Sequence, residues 1–232
     1  MRTFIIPDIH GCSKTLRYLL EVKLSISQAD RLYFLGDYID RGPDSPGVVE
    51  YLINLIDDGY NITGLKGNHE QMMLECINGD YEMSLWLMNS GFATMHQYQS
   101  MTTAIETEYG FLPQRHLDFF SNLKPYVIVD NRYILVHGGI NYELPNPFSD
   151  EYAMLWNRPS DVPENFMPTY KIIHGHTPRA LKRIVEELKE PHRRLFDLDA
   201  GCVYKGQYIP GTGYLTALQL ENWSLEFVEC ID

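Results

Sequence analysis

The sequence predicts an α/β fold in which two mixed β-sheets pack as a sandwich flanked by helices. Strand and helix patterns alternate over the first seventy residues, and strand patterns dominate the second half. Hydrophobic residues make up 44% of the 232 residues and charged residues 22%, an ordinary globular composition. No linker, repeat or low-complexity tract interrupts the chain, so we expect a single domain over residues 1–232.

The first third of the chain predicts a βαβαβ unit with parallel strands. Short apolar runs predict buried strands at Thr3–Pro7, Leu32–Leu35 and Ile62–Leu65. Helical spacing of apolar residues predicts helices at Ser13–Lys23, after Asp44-Ser45-Pro46, and at Glu70–Ile77. Asp44 suits the N-cap of the second helix, and Pro46 suits its first turn.

The remaining two thirds predict helices first and strands afterwards. Tyr81–Leu123 is rich in methionine and aromatic residues and is predicted to be helical, with interruptions at Gly91, Gly110 and Pro113. Strands are predicted at Tyr126–Val129, Tyr133–His137, Ile172–His174, Lys182–Leu188, Leu195–Leu198, Tyr214–Leu220 and Leu225–Val228. This order fits two packed sheets with helices on the outside.

Charge and hydropathy exclude several classes of partner. The chain has 19 Lys and Arg against 31 Asp and Glu, a net charge of −12, which would repel a nucleic-acid backbone. No apolar run approaches the ~20 residues of a membrane span, and the N-terminus lacks the apolar core of a signal peptide. We therefore expect a cytoplasmic protein with neither a nucleic-acid nor a membrane partner.

The four cysteines are Cys12, Cys76, Cys202 and Cys230, and no two of them have CxxC spacing. This spacing disfavours a zinc cluster or a thioredoxin motif and favours reduced thiols. Cys12 lies two residues after His10, which leads to two interpretations. It is either a small buried residue or a thiolate made sensitive to oxidation by a nearby cation.

Short polar segments follow five of the predicted strands. They are Asp8-Ile9-His10-Gly11, Gly36-Asp37-Tyr38-Ile39-Asp40-Arg41-Gly42, Gly67-Asn68-His69-Glu70, His137-Gly138-Gly139 and His174-Gly175-His176-Thr177-Pro178. The carboxyl ends of strands line the ligand crevice of open α/β sheets, so we expect the five segments to meet at one rim.

These segments supply three imidazoles, two carboxylates and one amide oxygen as donors, from Asp8, His10, Asp37, Asn68, His137 and His176. Such a set suits Mn²⁺, Fe²⁺ or Zn²⁺ better than Ca²⁺ or Mg²⁺. Six ligands suit two ions ~3.5–4 Å apart with one bridging carboxylate. The neighbouring glycines allow sharp turns and close approach of the backbone.

The motifs DxHG, GDxxDRG, GNHE, HGG and GHTP occur in this order between residues 8 and 178. The chain thereby resembles the calcineurin-like metallophosphoesterase superfamily, and within it the phosphoprotein phosphatase branch. It is most similar to the compact bacterial and phage type, exemplified by the lambda phage protein phosphatase. The resemblance implies the αββα fold of that superfamily and two divalent metal ions, with Mn²⁺ favoured over iron and zinc.

The resemblance also implies a role for each site residue. Asp8 and His10 would bind the first metal, Asp37 would bridge both metals, and Asn68, His137 and His176 would bind the second. His69 would protonate the leaving group with Asp40 orienting it, and Arg41 and Arg158 would hold the phosphate. The implied activity is that of a serine/threonine-type phosphoprotein phosphatase. A hydroxide bridging the two metals would attack the phosphorus of a phosphorylated protein or small phosphoester directly, since metal binding lowers the pKa of water from 15.7 toward ~7.

Three alternative functions fit the sequence less well than the phosphatase does. Symmetrical diadenosine tetraphosphate hydrolases typically carry a small residue at the position of Asp40 and read GNHD and GHW, whereas this chain has Glu70 and Thr177-Pro178. Nucleases of the superfamily carry a second histidine where this chain has Pro178. A metal-free scaffold would have lost ligands that are all present here. The sequence therefore favours the phosphatase.

Overall fold

The computed structural model describes residues 1–79, 83–101 and 112–232. Two mixed β-sheets are flanked by helices, which confirms the predicted fold class. The first sheet contains β1 Thr3–Ile6, β2 Arg31–Phe34, β3 Asn61–Gly64, β8 Tyr214–Gln219 and β9 Ser224–Glu229, in the order β3-β2-β1-β8-β9. The second contains β4 Tyr126–Val129, β5 Tyr133–Val136, β6 Lys171–His174 and β7 Leu195–Asp197, in the order β4-β5-β6-β7.

Each sheet combines a parallel half with antiparallel strands at an edge. Strands β1, β2 and β3 are parallel, as the βαβαβ prediction requires, and β8 and β9 are added antiparallel. Strands β5, β6 and β7 are parallel, and β4 pairs antiparallel with β5. The carboxyl ends of the parallel strands within each sheet therefore open at one edge, where ligand sites of α/β proteins form.

The helices are α1 Ser13–Arg17, which continues as a π-helical stretch Tyr18–Lys23, α2 Ser45–Asp57, α3 Asn68–Asn78, α4 Met83–Trp86, α5 Phe92–Gln99, α6 Gln114–Ser121, α7 Glu151–Trp156 and α8 Leu181–Glu187. Leu87–Gly91 joins α4 to α5 through a kink, where Asn89 and Ser90 have non-helical backbone angles. Pro147–Ser149 and Cys202–Tyr204 form 3₁₀ turns. Asp44 caps α2 as predicted, because its Oδ1 accepts a hydrogen bond of 3.0 Å from the Gly47 amide.

Side chains from facing strands fill the space between the sheets. Ile5 of the first sheet belongs to one buried cluster with Leu135, Ile173 and Phe196 of the second. The opposite face of the first sheet packs against the helices of the first half of the chain, where Leu16 is fully buried. Burial of each such side chain contributes about 1.5–3 kcal/mol, so the core holds both sheets in place beneath the loops at their edge.

The strand predicted at Lys182–Leu188 is wrong, because the structure has helix α8 there. Leu181, Ile184 and Leu188 lie three and four residues apart, and these apolar side chains pack on the cluster between the sheets. The adjacent β-branched pair Ile184 and Val185 favours a strand locally, but this helical spacing decides the outcome.

Within the described residues, the methionine- and aromatic-rich middle forms the helices α4, α5 and α6, as predicted. The predicted interruption at Gly110 lies outside the described residues. Within the three described ranges, no helix combines the length and the apolar character that crossing a bilayer requires.

Candidate metal centre

Five loops bring polar side chains to one place at the carboxyl ends of the strands. Asp8 and His10 follow β1, Asp37 follows β2, Asn68 begins the helix after β3, His137 follows β5 and His176 follows β6. All six side chains are buried, with no more than 7% of any residue exposed. The structure therefore assembles the full set of donors that the sequence singled out, although they span 168 residues of the chain.

Asp37 belongs to two groups of donor atoms. The first group contains His10, Asp37 and His69, and the second contains Asp37, His137 and His176. In each group the donor atoms lie within 4.8 Å of one another. Asp37 Oδ2 lies 3.4 Å from His10 Nε2, and Asp37 Oδ1 lies 3.4 Å from His137 Nε2. One carboxylate thus presents an oxygen to each side, the arrangement that a bridging ligand requires.

Asp8 lies beside His10, and Asn68 lies beside His137. Asp8 Oδ2 is 4.0 Å from His10 Nε2, and the backbone amide of His176 donates to Asp8 Oδ1 over 3.0 Å. Asn68 Oδ1 lies 3.0 Å from His137 Nε2. The donors therefore divide into a half around His10 and a half around His137, with Asp37 between them.

Backbone carbonyls fix the tautomers of two histidines. His10 Nδ1 donates to the Ile39 carbonyl over 2.8 Å, and His137 Nδ1 donates to the Leu35 carbonyl over 2.9 Å. A carbonyl only accepts, so the proton lies on Nδ1 and the Nε2 lone pair faces the site. His176 Nε2 is buried without a hydrogen-bond partner among the described residues. A cation satisfies such an orphaned nitrogen, so these residues fit a metal centre.

The electrostatics of the buried histidines also suit metal binding. Burial lowers the pKa of His10 and of His137. The pKa of His176 is lowered to about 2, mainly by burial and to a smaller extent by the charge of nearby His137. Burial opposes ionisation of Asp37, but His137, His69 and His10 outweigh it and hold the pKa of that carboxyl well below its usual range. Neutral imidazoles around an ionised carboxylate are the protonation states that metal ligands need.

Backbone strain is concentrated at the site. Five of its non-glycine residues have positive φ, at 48°, 52°, 70°, 66° and 72° for His10, Asp37, Asp40, Arg41 and His176. Side chains rarely adopt this region, and each such residue costs on the order of 1–3 kcal/mol. Strain of this kind persists where surrounding structure enforces it, which is typical of functional sites.

Two glycines allow the loops after β2 and β3 to touch. A Cβ atom on Gly36 would lie 2.5 Å from the Gly67 amide nitrogen, and one on Gly67 would lie 2.1 Å from Asp37 Oδ1. Gly36 also has a φ of 107°. This close backbone approach, expected from the sequence, places Asp37 beside Asn68.

His69 is oriented by a buried acidic residue. Its Nδ1 lies 2.6 Å from Asp40 Oδ2, and its Nε2 lies 3.9 Å from Asp37 Oδ2, facing the donors. Trp86 Nε1 donates to the same Asp40 oxygen over 2.9 Å, and the Asp40 amide donates to Thr94 Oγ1. The pair that the sequence predicted is present, and α4 and α5 hold it in place.

The two predicted phosphate clamps differ in position. Arg41 is exposed, its guanidinium contacts His10 Nε2, and its Cζ lies 5.6 Å from the centre of the Tyr204 ring. Arg41 also lines a cavity of about 800 Å³ with Phe92 and Tyr208. Arg158 is exposed just after α7, close enough that its charge contributes to the lowered pKa of His176. Arg41 therefore lies at the donors, and Arg158 lies at the edge of the site.

The sequence marked Glu70 only as part of the GNHE motif, but its carboxylate accepts hydrogen bonds from the two loops that carry Asp37 and Asn68. Oε2 accepts from the amides of Asp37 and Gly67 over 2.9 and 3.0 Å, and Oε1 accepts from those of Tyr38 and Ile39 over 2.9 and 3.3 Å. Glu at the third position of a helix is the reciprocal residue of a capping box, so the local pattern held this signal. Nothing in the sequence marked Trp86 as the partner of Asp40.

Two further acidic residues near the centre were also missed. Asp197 and Asp199 are each 2% exposed at the end of β7, and Asp199 Oδ1 accepts from the Gly201 amide over 2.7 Å. Burial raises the pKa of Asp199 to about 7, and after burial the charge of Asp199 contributes most to raising the pKa of Asp8. The alternation Asp197-Leu198-Asp199 at the end of the predicted strand Leu195–Leu198 is the signal that could have found them.

The fold and the donor set are those of a metal-dependent phosphoesterase. The family description "Calcineurin-like phosphoesterase" matches residues 1–198, and the chain belongs to that family.

Relatives of this chain carry names of two activities. It is 40% identical over 89 residues to "Serine/threonine-protein phosphatase 1" of Salmonella typhimurium, covering 38% of each protein. Over 70 residues it is 43% identical to "Bis(5'-nucleosyl)-tetraphosphatase, symmetrical" of Buchnera aphidicola, covering 30% of this chain and 24% of that protein. These matches thus span well under half of either relative. "Bis(5'-nucleosyl)-tetraphosphatase PrpE [asymmetrical]" of Anoxybacillus flavithermus is 26% identical, covering 88% of this chain and 86% of that protein.

A solved structure described as a protein serine/threonine phosphatase from Saccharomyces cerevisiae shares the fold. It aligns with a TM-score of 0.65 and 15% identity, covering 100% of this chain and 81% of that one. At this identity the similarity establishes the architecture alone.

Proposed function

We propose that this chain is a serine/threonine-type phosphoprotein phosphatase that acts on phosphate monoesters in the cytoplasm with two Mn²⁺ ions. The observation that carries the proposal is the shared carboxylate of Asp37, flanked by two groups of donors and adjoining the buried His69–Asp40 pair. In this proposal Asp8 and His10 hold one ion, Asn68, His137 and His176 hold the other, and Asp37 contacts both.

The chain's own residues would supply acid catalysis and binding of the phosphate. Two bound divalent cations provide Lewis acidity and lower the pKa of water toward about 7. His69 holds its Nδ1 proton against Asp40, so Nε2 can carry a second proton and donate it to the leaving oxygen. The Asp40 carboxylate stabilises the imidazolium that carries both protons before this transfer. Such a positioned acid contributes typically about 10²–10⁴-fold to the rate.

Arginines at the rim would bind the non-bridging phosphate oxygens. A guanidinium presents a planar fork of donors that matches two phosphate oxygens and remains charged at all relevant pH values. Arg41 extends over the donor cluster, and Arg158 approaches from the end of α7. Their charges also offset a net charge of −12, which would otherwise repel a phosphorylated substrate.

Hydrolysis of dinucleoside tetraphosphates is the second candidate function. The similarity of this chain over 88% of its length to the asymmetrical tetraphosphatase favours it. So does the cavity beside Arg41, because its aromatic side chains, Phe92, Tyr204 and Tyr208, could stack on a nucleobase. The buried acid pair favours the phosphatase, since a serine alkoxide needs a proton to leave and a polyphosphate does not.

The deciding experiment compares kcat/KM for phosphoserine and phosphothreonine peptides with that for diadenosine tetraphosphate, in the presence of Mn²⁺. We expect the phosphopeptides to be preferred by at least about 10-fold, a difference of 1.4 kcal/mol in the barrier. We also expect Asp40→Asn to reduce phosphopeptide turnover far more than tetraphosphate turnover. Faster tetraphosphate cleavage with negligible phosphopeptide turnover would establish the second candidate instead.

A further inference from the structure

Three cysteines from distant parts of the chain lie close together next to the metal centre. Cys12 precedes α1, Cys202 begins the 3₁₀ turn after β7, and Cys230 follows β9. Their Sγ atoms all lie within 4.8 Å of one another, and those of Cys12 and Cys230 are 3.9 Å apart. Cys12 and Cys202 are buried, and Cys230 is half-buried. The residue spacing gave no indication of this cluster, because it forms only when three loops pack together.

Backbone hydrogen bonds hold these loops in position. The amide of Cys230 donates to the Gly213 carbonyl over 2.8 Å, and the amide of Gly213 donates to the Gly201 carbonyl over 3.0 Å. The Ile231 amide donates to Thr15 Oγ1 in α1 over 3.0 Å. These hydrogen bonds hold the loops that bring the three thiols together, so little ordering would oppose the binding of a ligand.

The side chain of Asp232 fastens the C-terminal segment to α1. Its Oδ1 accepts from the Lys14 amide over 3.0 Å, and its Oδ2 accepts from the amide and hydroxyl of Thr15 over 2.9 and 2.6 Å. Asp232 thus reinforces the contact that sets Cys230 beside Cys12. This segment lies at the opposite end of α1 from solvent-exposed Arg17.

The spacing of the Cys12 and Cys230 sulfur atoms suits a three-coordinate thiolate site. Metal–thiolate bonds of about 2.3 Å in a trigonal plane set sulfur atoms about 4 Å apart, close to the 3.9 Å between Cys12 and Cys230. Among the described residues, no fourth histidine, cysteine, aspartate or glutamate joins the group formed by these three thiols. Zinc almost always takes four ligands in structural sites, whereas soft thiolates also select Cu(I), which suits three.

We propose that Cys12, Cys202 and Cys230 bind one Cu(I) ion at a site separate from the catalytic donors. Binding exchanges thiol protons for Cu–S bonds, and no change of oxidation state is required. The ion would join the segment after β9 to the loop that carries His10. The Cys12 Sγ already lies 3.7 Å from the His10 carbonyl oxygen, so the site adjoins the metal centre without sharing a donor with it.

The test titrates the Mn²⁺-loaded full chain with Cu(I) under anaerobic conditions, against bicinchoninate as a coloured competitor. We expect the chain to retain one Cu(I) ion. Cys202→Ser and Cys230→Ser should each weaken its affinity for Cu(I) by at least about 100-fold, because even the loss of a residue that only supports a metal ligand can weaken binding by up to about 100-fold. Cys76→Ser is the matched control, because Cys76 is a buried cysteine of α3 outside the cluster. It should retain Cu(I) as the unmodified chain does.

Two further measurements make the outcome decisive. Circular dichroism and Mn²⁺-dependent hydrolysis of p-nitrophenyl phosphate by Cys230→Ser establish that this variant is folded when it loses copper. His176→Ala should retain Cu(I) undiminished, since His176 belongs to the catalytic donors. Complete transfer of copper to bicinchoninate, undiminished retention by Cys230→Ser, or loss in His176→Ala would each overturn the proposal.

Discussion

His69 Nδ1 and Asp40 Oδ2 are 2.6 Å apart, and neither residue is more than 1% exposed. Short hydrogen bonds to an ionised acceptor are about twice as strong as neutral ones, and burial excludes competing water. The bond fixes the ring of His69 so that Nε2 faces the donor cluster. Trp86 donates a hydrogen bond to the same oxygen, so the orientation of His69 depends on a helix outside the five motifs.

Asp40→Asn should lower kcat for a phosphoserine peptide by about 10²–10⁴-fold, because His69 loses the charge that stabilises its protonated form. Metal content should stay the same, since Asp40 is absent from both donor groups of the described residues. Steady-state kinetics and metal analysis of the purified variant check both expectations. Asp58→Asn, at the exposed end of α2, is the control. A parallel loss of bound metal would assign the pair a structural role instead.

Removal of metal should abolish activity. EDTA treatment should reduce p-nitrophenyl phosphate hydrolysis to background, and added Mn²⁺ should restore it, because without cations nothing at the site lowers the pKa of water. Turnover that persists in the chelator would refute a mechanism with two metals.

His176→Ala should reduce the bound metal from about two ions to about one, while the same substitution at the exposed His192 should leave the bound metal unchanged.

Glu70→Gln should destabilise the fold and weaken metal binding together. The carboxylate accepts four backbone amides, and a glutamine side chain offers only one acceptor oxygen. We expect the free energy of unfolding to fall by about 1–3 kcal/mol, because buried backbone amides lose an acceptor. Urea denaturation measures this change. Glu75→Gln in the same helix, whose carboxylate accepts from Gln71 near the surface, should change stability by less than about 0.5 kcal/mol.

Asp30 should make stability depend on acidic pH. The Arg2 guanidinium lies 2.6 Å from Asp30 Oδ2 and, together with the Ser27 amide and hydroxyl, holds the pKa of this carboxyl well below its usual value. A depressed folded-state pKa stabilises the fold above the unfolded value of about 3.9, and this contribution is lost as pH falls through the folded-state pKa.

Asp30→Asn should therefore cost about 1–2 kcal/mol at pH 7, discounted because Arg2 is partly exposed. The difference from the unmodified chain should shrink below about pH 4. Chemical denaturation at several pH values measures it, and Asp58→Asn is again the reference. A difference independent of pH would assign the effect to packing rather than to charge.

Most of the metal centre could be predicted from sequence because its residues obey local rules. Asp8, His10, Asp37 and His176 each lie within four residues of the end of a strand. Parallel strands bring their carboxyl ends together whatever the details of packing. Assignment of α8 failed where Ile184 and Val185 suggested a strand and the apolar spacing around them specified a helix. A longer window that included Leu181 and Leu188 would have resolved this conflict.

Contacts across long sequence separations were beyond such rules. Trp86 meets Asp40 from 46 residues away, and Cys230 meets Cys12 from 218 residues away. No periodicity links these pairs, since each depends on how two loops pack against a common core. The roles of individual site residues are predictions that the experiments above address. The choice of Mn²⁺ and the extent of the domain also stay predictions.

The positive φ angles of His10, Asp37, Asp40, Arg41 and His176 make glycine the least strained residue at every one of these positions. Replacing Asp40 by glycine would therefore relax the backbone while destroying the acid pair. Selection for thermal stability alone would therefore favour substitutions at these positions that reduce activity. A screen for stable variants must also select for catalytic turnover.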